Sequence, residues 1–513
     1  MNKISDKCEA GDCQLKPLRN GKCVLHCEKK DYSNDRHEPS FLSSFYDELR
    51  NYIINHIFSC GSRVDQMSLS KEKIADYLDN DNELGRLTKI QMNRDVVFDN
   101  IVFPARDSRD YFKLFKKIES AHFNYCSFSI PEIDINELKV FYQDCKFNSY
   151  WTVYHSELLE NVNNTLYQCC TFYNDVSINS GNASDENINY SIFTDCHFSN
   201  KLEVFNSTIP SLMFNNSPNL TLNMKEVNLV NVIIEDKFVL NNVVLDSFNT
   251  ENVSFKSKFE FKENTVREFT VFNTNFHKIF DAYRTKFDSY ASKKCIFYDF
   301  SGFELCEFSL LEKQLAAFEY VTFLGFVNYR NAIFHGGLDL ENTNLKEPPN
   351  FLKMKVNSEN TNRETYRIIK NSFDKAGNHI EANKYFSLEM MKYKKELSTQ
   401  PMSQEKLIFW LNKNISNFGM SYTRPIFLMF IFSIVYQGLI IGYHNNLLYK
   451  IDPEYNYYIS SFSGFINNLA SNIIPFNKFL FEGMEFMSLI FYVVFASLIW
   501  QTIVSIKKHT RSN

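Results

Sequence analysis

The chain has 513 residues, among them 50 Phe, 28 Tyr and 57 Asn, while Gly and Pro number only 15 and 12. A hydrophobic share of 44% excludes a disordered chain, and the scarcity of Gly and Pro excludes a collagen-like fibre. Fifty-five basic residues against 60 acidic ones leave a net charge of −5, which argues against nucleic acid held by bulk charge and is too small for a polyanionic surface.

In chain order, the first feature is a cluster of ligand-type side chains in residues 1–30. Cys8, Cys13, Cys23 and His26 offer three thiolates and an imidazole within about twenty residues, the donor set of a closed structural zinc site. Cys27, directly after His26, is the alternative fourth ligand. This segment has few large apolar side chains, so metal binding would supply folding energy that a core cannot. The opening residues carry no apolar run of the secretory kind, and the bulk of the chain is expected to be cytosolic with reduced thiols.

Residues 31–95 read as a helical cap. Phe45, Leu49, Tyr52, Ile53 and Ile57 recur at helical spacing, and Ser70 stands where an N-cap would begin a second helix through Leu78. His37 and His56 lack partners at metal spacing and are expected to be ordinary histidines.

Residues 96–345 hold a five-residue frame. Ala121-His-Phe123-Asn-Tyr-Cys126-Ser-Phe128 recurs as Val140-Phe-Tyr142-Gln-Asp-Cys145-Lys-Phe147, and again around Cys170 and Phe172, Cys196 and Phe198, and Cys306 and Phe308. A period of five fits neither an isolated helix nor a flat strand. It fits a solenoid whose faces are each five residues long, with the small residue and the Phe inward and Asn or Asp at the bends. Phe128, Phe147, Phe172, Phe198, Phe303 and Phe323 should stack inside, and the framed cysteines should be small buried residues. The frame is poorest in Leu202–Val266, a helical insertion is expected near 107–120, and Pro348-Pro349 reads as the closing signal.

On these frames the chain resembles the pentapeptide-repeat family, which implies a mainly β solenoid: a right-handed quadrilateral β-helix with four five-residue faces per coil. From Ala121 to Leu345 that would make on the order of eleven coils if none carried loops.

Residues 346–423 read as a helical connector, with two helices broken at Gly377-Asn378. Residues 424–513 read as a membrane domain, because 426–443 and 486–506 are uncharged and long enough to span a bilayer as two transmembrane α-helices. Lys406, Lys413 and Arg424 precede the first span and Lys507, Lys508 and Arg511 follow the second, so both termini are expected to be cytoplasmic. Ser433, Gln437, Ser497 and Gln501 are candidates to line a pore or to bond between helices. The whole order resembles bacterial membrane-anchored pentapeptide-repeat proteins, some of which look like two-span ion channels. That resemblance implies a multi-pass protein of the bacterial inner (cytoplasmic) membrane.

No P-loop, GxGxxG, GxSxG or HExxH motif is present, so no catalytic residue is assigned and the chain is not expected to be an enzyme. The expected function is a membrane-tethered cytosolic scaffold or sensor with zinc as a structural cofactor and a cytosolic protein partner. The alternative is a homo-oligomeric pore or channel-like effector, of stress or phage defence, gated by the repeat domain.

Overall fold

The computed structural model describes residues 7–10, 13–29, 38–60, 70–79, 94–105, 113–130, 133, 138–153, 165–179, 192–210, 212–218, 220–310, 314–398, 404–444, 462–467, 480–481 and 483–510. The chain forms two compact units, Met1–Thr361 and Asn362–Asn513.

The first unit is a parallel β-solenoid of about ten turns with helices beside its first coil. Its longest sheet pairs Phe103 with Phe128, Phe128 with Phe147, Phe147 with Phe172 and Phe172 with Phe198, so early coils consume 19 to 26 residues. These five rings form one column, with parallel faces and centroids 4.9, 5.1, 4.6 and 5.0 Å apart. That is the spacing of paired strands, which is why one residue type can fill the column. All six Phe expected inside are buried.

Across Leu202–Val266, where the five-residue frame is hard to see in the sequence, the solenoid is at its most regular. Leu222 pairs with Val243, Leu245 with Val266 and Val266 with Phe287, each 21 residues on. Buried Met224, Leu229, Ile234, Leu240 and Leu245 lie five, five, six and five residues apart, so each coil is four five-residue faces plus one extra residue between Ile234 and Leu240. The same slip separates Phe255 from Phe261 and Phe276 from Ala282. At the other end, parallel pairing runs past Pro348-Pro349: Ile333 and Phe334 pair with Lys355 and Val356, and Phe351 stacks on Tyr329 at 5.4 Å.

The corners account for part of the Asn content. Asn206, Asn231, Asn252 and Asn273 share one corner, with φ between 46° and 55°, a left-handed conformation that Asn tolerates better than most residues. Their amides form a ladder in which Nδ2 of Asn231, Asn252 and Asn273 donates to Oδ1 of the Asn one coil before, at 3.0, 3.0 and 2.6 Å. At another corner, Tyr125, Asp144, Cys169, Asp195, Glu263, Arg284 and Leu305 are also left-handed. The residue after each of these turns inward and donates to a carbonyl of the preceding coil. Cys126, Cys145, Cys170 and Cys196 donate to Phe98, Phe123, Tyr142 and Tyr167 at 3.2 to 3.5 Å. Asn264, Thr285 and Cys306 do the same to Leu240, Phe261 and Ala282, at 2.7, 2.5 and 2.8 Å. The inner Cys column is therefore a column of hydrogen-bond donors as well as small residues, since a buried carbonyl needs a partner. Burial pushes the thiols of Cys126, Cys170 and Cys306 up, so these three keep the proton they donate, whereas for Cys145 burial is outweighed by hydrogen bonds from the Cys126 and Cys170 thiols, which hold it down at about 5.

Helix α1, Glu38–Cys60, covers the first strand, Asp95–Asp99. Tyr52 donates to the Val97 carbonyl at 2.8 Å, and the Val97 N–H donates to Nε2 of His56 at 3.3 Å. A strand edge that would otherwise present open backbone groups is thereby closed by side chains, a task for His56 that its spacing did not reveal. Helix α2, Lys71–Asp79, begins as expected, with the Lys73 N–H donating to the Ser70 hydroxyl. Of the expected insertion, 106–112 lies outside the described residues; 113–115 are helical, with Leu114 and Phe115 buried.

The second unit is helical. Helices α3, Arg363–Lys375, and α4, His379–Ser398, join at Gly377, where φ is 74°. The N–H groups of Gly377 and Asn378 return to the carbonyls of Asp374 and Phe373, a paired closure of the helix end. Helix α5, Gln404–Ser416, leads to α6, Thr423–His444, and α7, Glu485–Thr510, follows.

Candidate metal centre and apolar helices

The structure brings Cys8, Cys13, Cys23 and His26 together, with one ligand atom from each lying within 4.8 Å of all the others. The local chain explains how. Arg19 pairs with Lys22 across Asn20 and Gly21, whose φ values of 47° and 72° make the tight hairpin that an Asn-Gly pair favours, and this hairpin delivers Cys23. One helical turn, closed by the Cys27 N–H to the Cys23 carbonyl at 2.9 Å, then places His26 beside Cys23.

Sγ of Cys13 and Cys23 are 3.8 Å apart, and Nδ1 of His26 is 3.2 Å from Cys23 Sγ and 3.5 Å from Cys8 Sγ. Bond lengths of about 2.3 Å to sulfur and about 2.05 Å to nitrogen in a tetrahedron give S···S edges of roughly 3.8 Å and S···N edges of roughly 3.6 Å. The cluster has the size of such a shell. Cys27 is not one of its members: its thiol is turned to the Val24 carbonyl at 3.9 Å.

The supporting partners suit a ligand role. Nδ1 of His26 faces the thiols of Cys8 and Cys23, and burial, only partly opposed by the Asp99 backbone, holds the imidazole below its ordinary pKa and so neutral. Burial opposes the Cys8 thiolate, but the N–H groups of Ala10 and Cys23 outweigh it and hold that thiol below its usual range. Burial pushes Cys23 up to about 12 and also raises Cys13. Three thiolates this close therefore call for a cation to share.

The knot is anchored on the first coil. The Val102 N–H donates to the Leu25 carbonyl at 2.9 Å. Lys29, buried, donates to the carbonyls of Leu25 and Cys27 at 3.1 Å each and lies 4.9 Å from the centre of the Phe45 ring. Sequence reasoning did not single out Asp99, Lys29 or the Asn20-Gly21 turn; only the last had a local signal.

In the second unit, Thr423–Tyr443 and Glu485–Lys508 have mean hydropathies of 2.0 and 2.1 and leave most of their apolar surface uncovered. Phe427, Phe430, Ile434, Val493 and Trp500 are all more than half exposed. Helices apolar on every side and unburied are long and apolar enough to cross a membrane, unlike a core helix. They pack against each other through Tyr436, whose ring stacks on Phe491 at 4.1 Å and whose hydroxyl meets that of Ser488 at 2.6 Å.

The four candidate pore residues are not gathered into one polar stripe. Ser433 and Ser497 donate to carbonyls of their own helices, Met429 and Val493, both at 2.8 Å. Gln501 bridges to α5, donating to Asn412 at 3.2 Å and accepting from Ser416 at 2.9 Å. Gln437 is exposed.

No family model, curated protein or solved structure matches the chain.

Proposed function

We propose that the protein is a membrane-tethered cytosolic scaffold or sensor. In this account two spans hold it in a bacterial cytoplasmic membrane with both termini inside, a pentapeptide-repeat-type solenoid presents the binding surface to a cytosolic protein, and zinc closes the Cys8, Cys13, Cys23 and His26 knot. The observation that carries this reading is the union in one chain of two unburied all-apolar helices with a solenoid whose interior is filled by stacked side chains. A filled solenoid offers its outside to partners. That outside is laddered with ion pairs such as Lys262 with Asp281 and Lys201 with Glu226, at 3.1 and 3.4 Å, and such polar walls suit reversible protein contacts better than chemistry. The positive-inside distribution of Lys and Arg supports the orientation.

A second reading, a pore made by several copies, draws on one feature. Residues 462–467, between the spans, are helical, and Asn467 is fixed by its amide to the Gly483 carbonyl at 2.5 Å and by the Phe486 N–H at 3.0 Å, a buried polar brace between the spans. Planar-bilayer recording on the purified full-length protein separates the two. The scaffold reading expects silent bilayers, and discrete conductance steps lost on Gln437→Leu or Ser488→Ala would replace it with the pore.

A further inference from the structure

In the second unit, α3, α4 and the end of α7 form an open cleft of about 210 Å³ lined by Lys370 and Asp374 of α3, His379, Ala382, Asn383 and Phe386 of α4, and Lys508 of α7. The lining residues stand at i and i+4 on α3 and at i, i+3, i+4 and i+7 on α4, so each helix contributes a single face. Both ammonium groups lie against the same ring: Lys370 Nζ and Lys508 Nζ are 4.8 and 4.5 Å from the centre of Phe386. Lys508 is held there by two bonds, its Nζ to the Phe418 carbonyl at 2.8 Å and its own carbonyl to Asn383 Nδ2 at 3.0 Å.

Lys370 is ion-paired with buried Glu389 at 3.7 Å, and Asp374 faces His379 at 3.4 Å, so Lys508 is the lysine of the pair left without a close carboxylate. No described carboxylate lies within 4.0 Å of Lys508, and an ammonium that spends one N–H on Phe418 has two left. The cleft is smaller than the roughly 300–1,000 Å³ pockets that take drug-sized ligands, and so admits a single compact group.

We propose that this cleft is an anion site that binds one phosphate group between Lys370 and Lys508. Phosphate fits better than a monovalent anion because its several oxygens can accept from both ammonium groups at once. Lys508 lies in the last turns of α7, just beyond its apolar stretch, so the group could come from a lipid headgroup as well as from free phosphate. The headgroup source rests on the membrane reading; the free-phosphate source does not.

The test uses the full-length protein in phosphatidylcholine nanodiscs, read by hydrogen exchange in α3 and α4. One arm adds inorganic phosphate, and the other replaces part of the lipid with phosphatidic acid. Exchange of amides around Lys370 and Asn383 should slow up to about 100-fold at a ligand concentration 100 times its dissociation constant. Protection by phosphate in neutral discs assigns the free anion, and protection only with phosphatidic acid assigns the headgroup. Lys370→Gln with Lys508→Gln should abolish the effect, Lys508→Arg should keep it, and Asp374→Asn, which removes a repelling carboxylate without touching the lysines, should tighten it severalfold. Absence of protection in both arms, equal protection in the double Gln variant, or weaker binding in Asp374→Asn overturns the proposal.

Discussion

Phe147→Ala is the sharpest probe of the solenoid. Phe147 is fully buried, with Phe128 and Phe172 stacked on its faces at 5.1 and 4.6 Å and with Tyr142, Trp151 and Tyr167 around it at 5.4, 4.4 and 5.5 Å. Truncating a buried Phe costs about 3–5 kcal/mol, and the upper half of that range applies where neighbours cannot collapse into the gap. Here they are pinned, because the strands of Phe128, Phe147 and Phe172 are paired with the coils on either side and Trp151 is paired with Val176 of the next. We therefore expect a loss of about 4 kcal/mol in the free energy that opens this part of the solenoid. Repeat arrays transmit such losses mainly to neighbouring coils, and sites this far apart usually couple by no more than about 0.5 kcal/mol. Native-state hydrogen exchange on the full-length protein should show the loss at Tyr142 and Tyr167, and little change around Phe259 and Phe280. A loss below about 1 kcal/mol, or an equal loss in every coil, would refute the stacked-column reasoning.

Replacing Asn264 by Ala should cost more than its size suggests. Its side chain donates to the Leu240 carbonyl at 2.7 Å and accepts from the Val243 N–H at 2.8 Å, and each buried group left unsatisfied costs about 1–3 kcal/mol; thermal unfolding of the variant measures it. His56 should make the edge of the first strand sensitive to acid. Burial holds its pKa below the ordinary 6.5, so the unfolded state takes up the proton first: the stability His56 contributes is complete above about pH 6.5 and is lost as pH falls through the lower folded value. The Val97 amide should therefore exchange faster below pH 6 than its neighbours predict, and His56→Leu should flatten that dependence. Purified protein should carry about one zinc per chain by elemental analysis, and Cys13→Ser or His26→Ala should release it, whereas Cys27→Ala should not. Metal release should expose the Val102 amide, which bonds to Leu25, and leave the Phe147 coil protected.

The extent to which this was legible in the sequence follows from side-chain chemistry. Where the inward column is Phe and the inner corner is Cys, as from Ala121 to Phe198, the repeat is plain because two distinctive residue types recur together. Between Leu202 and Val266 the column that holds Phe198 continues as Met224, Leu245 and Val266 and the inner corner holds no Cys, and from Leu222 on the extra residue in each coil moves the frame by one every 21 positions. A strict search for a period of five loses phase there although the geometry is unchanged. The four metal-type ligands were readable from their spacing, because the hairpin and the single helical turn that gather them are short-range structures. The bonds of Lys29 to the Leu25 and Cys27 carbonyls were not, since a backbone acceptor has no identity in the sequence. Gln501 was open between pore and packing for a related reason: its partners Asn412 and Ser416 lie about 85 residues away, on a helix whose placement only tertiary structure fixes.

The tethered-scaffold account is tested most directly by thiol labelling in intact cells. Cys169 is an exposed thiol on the solenoid, and an Asn445→Cys substitution, outside the described residues, would report from between the spans. With Cys60 replaced by Ser, a membrane-impermeant maleimide should label Asn445→Cys in intact cells, and should reach Cys169 and a cysteine at Ser512 only after lysis. Labelling of Cys169 from outside, or recovery of the chain in the soluble fraction after an alkaline carbonate wash, would contradict the account.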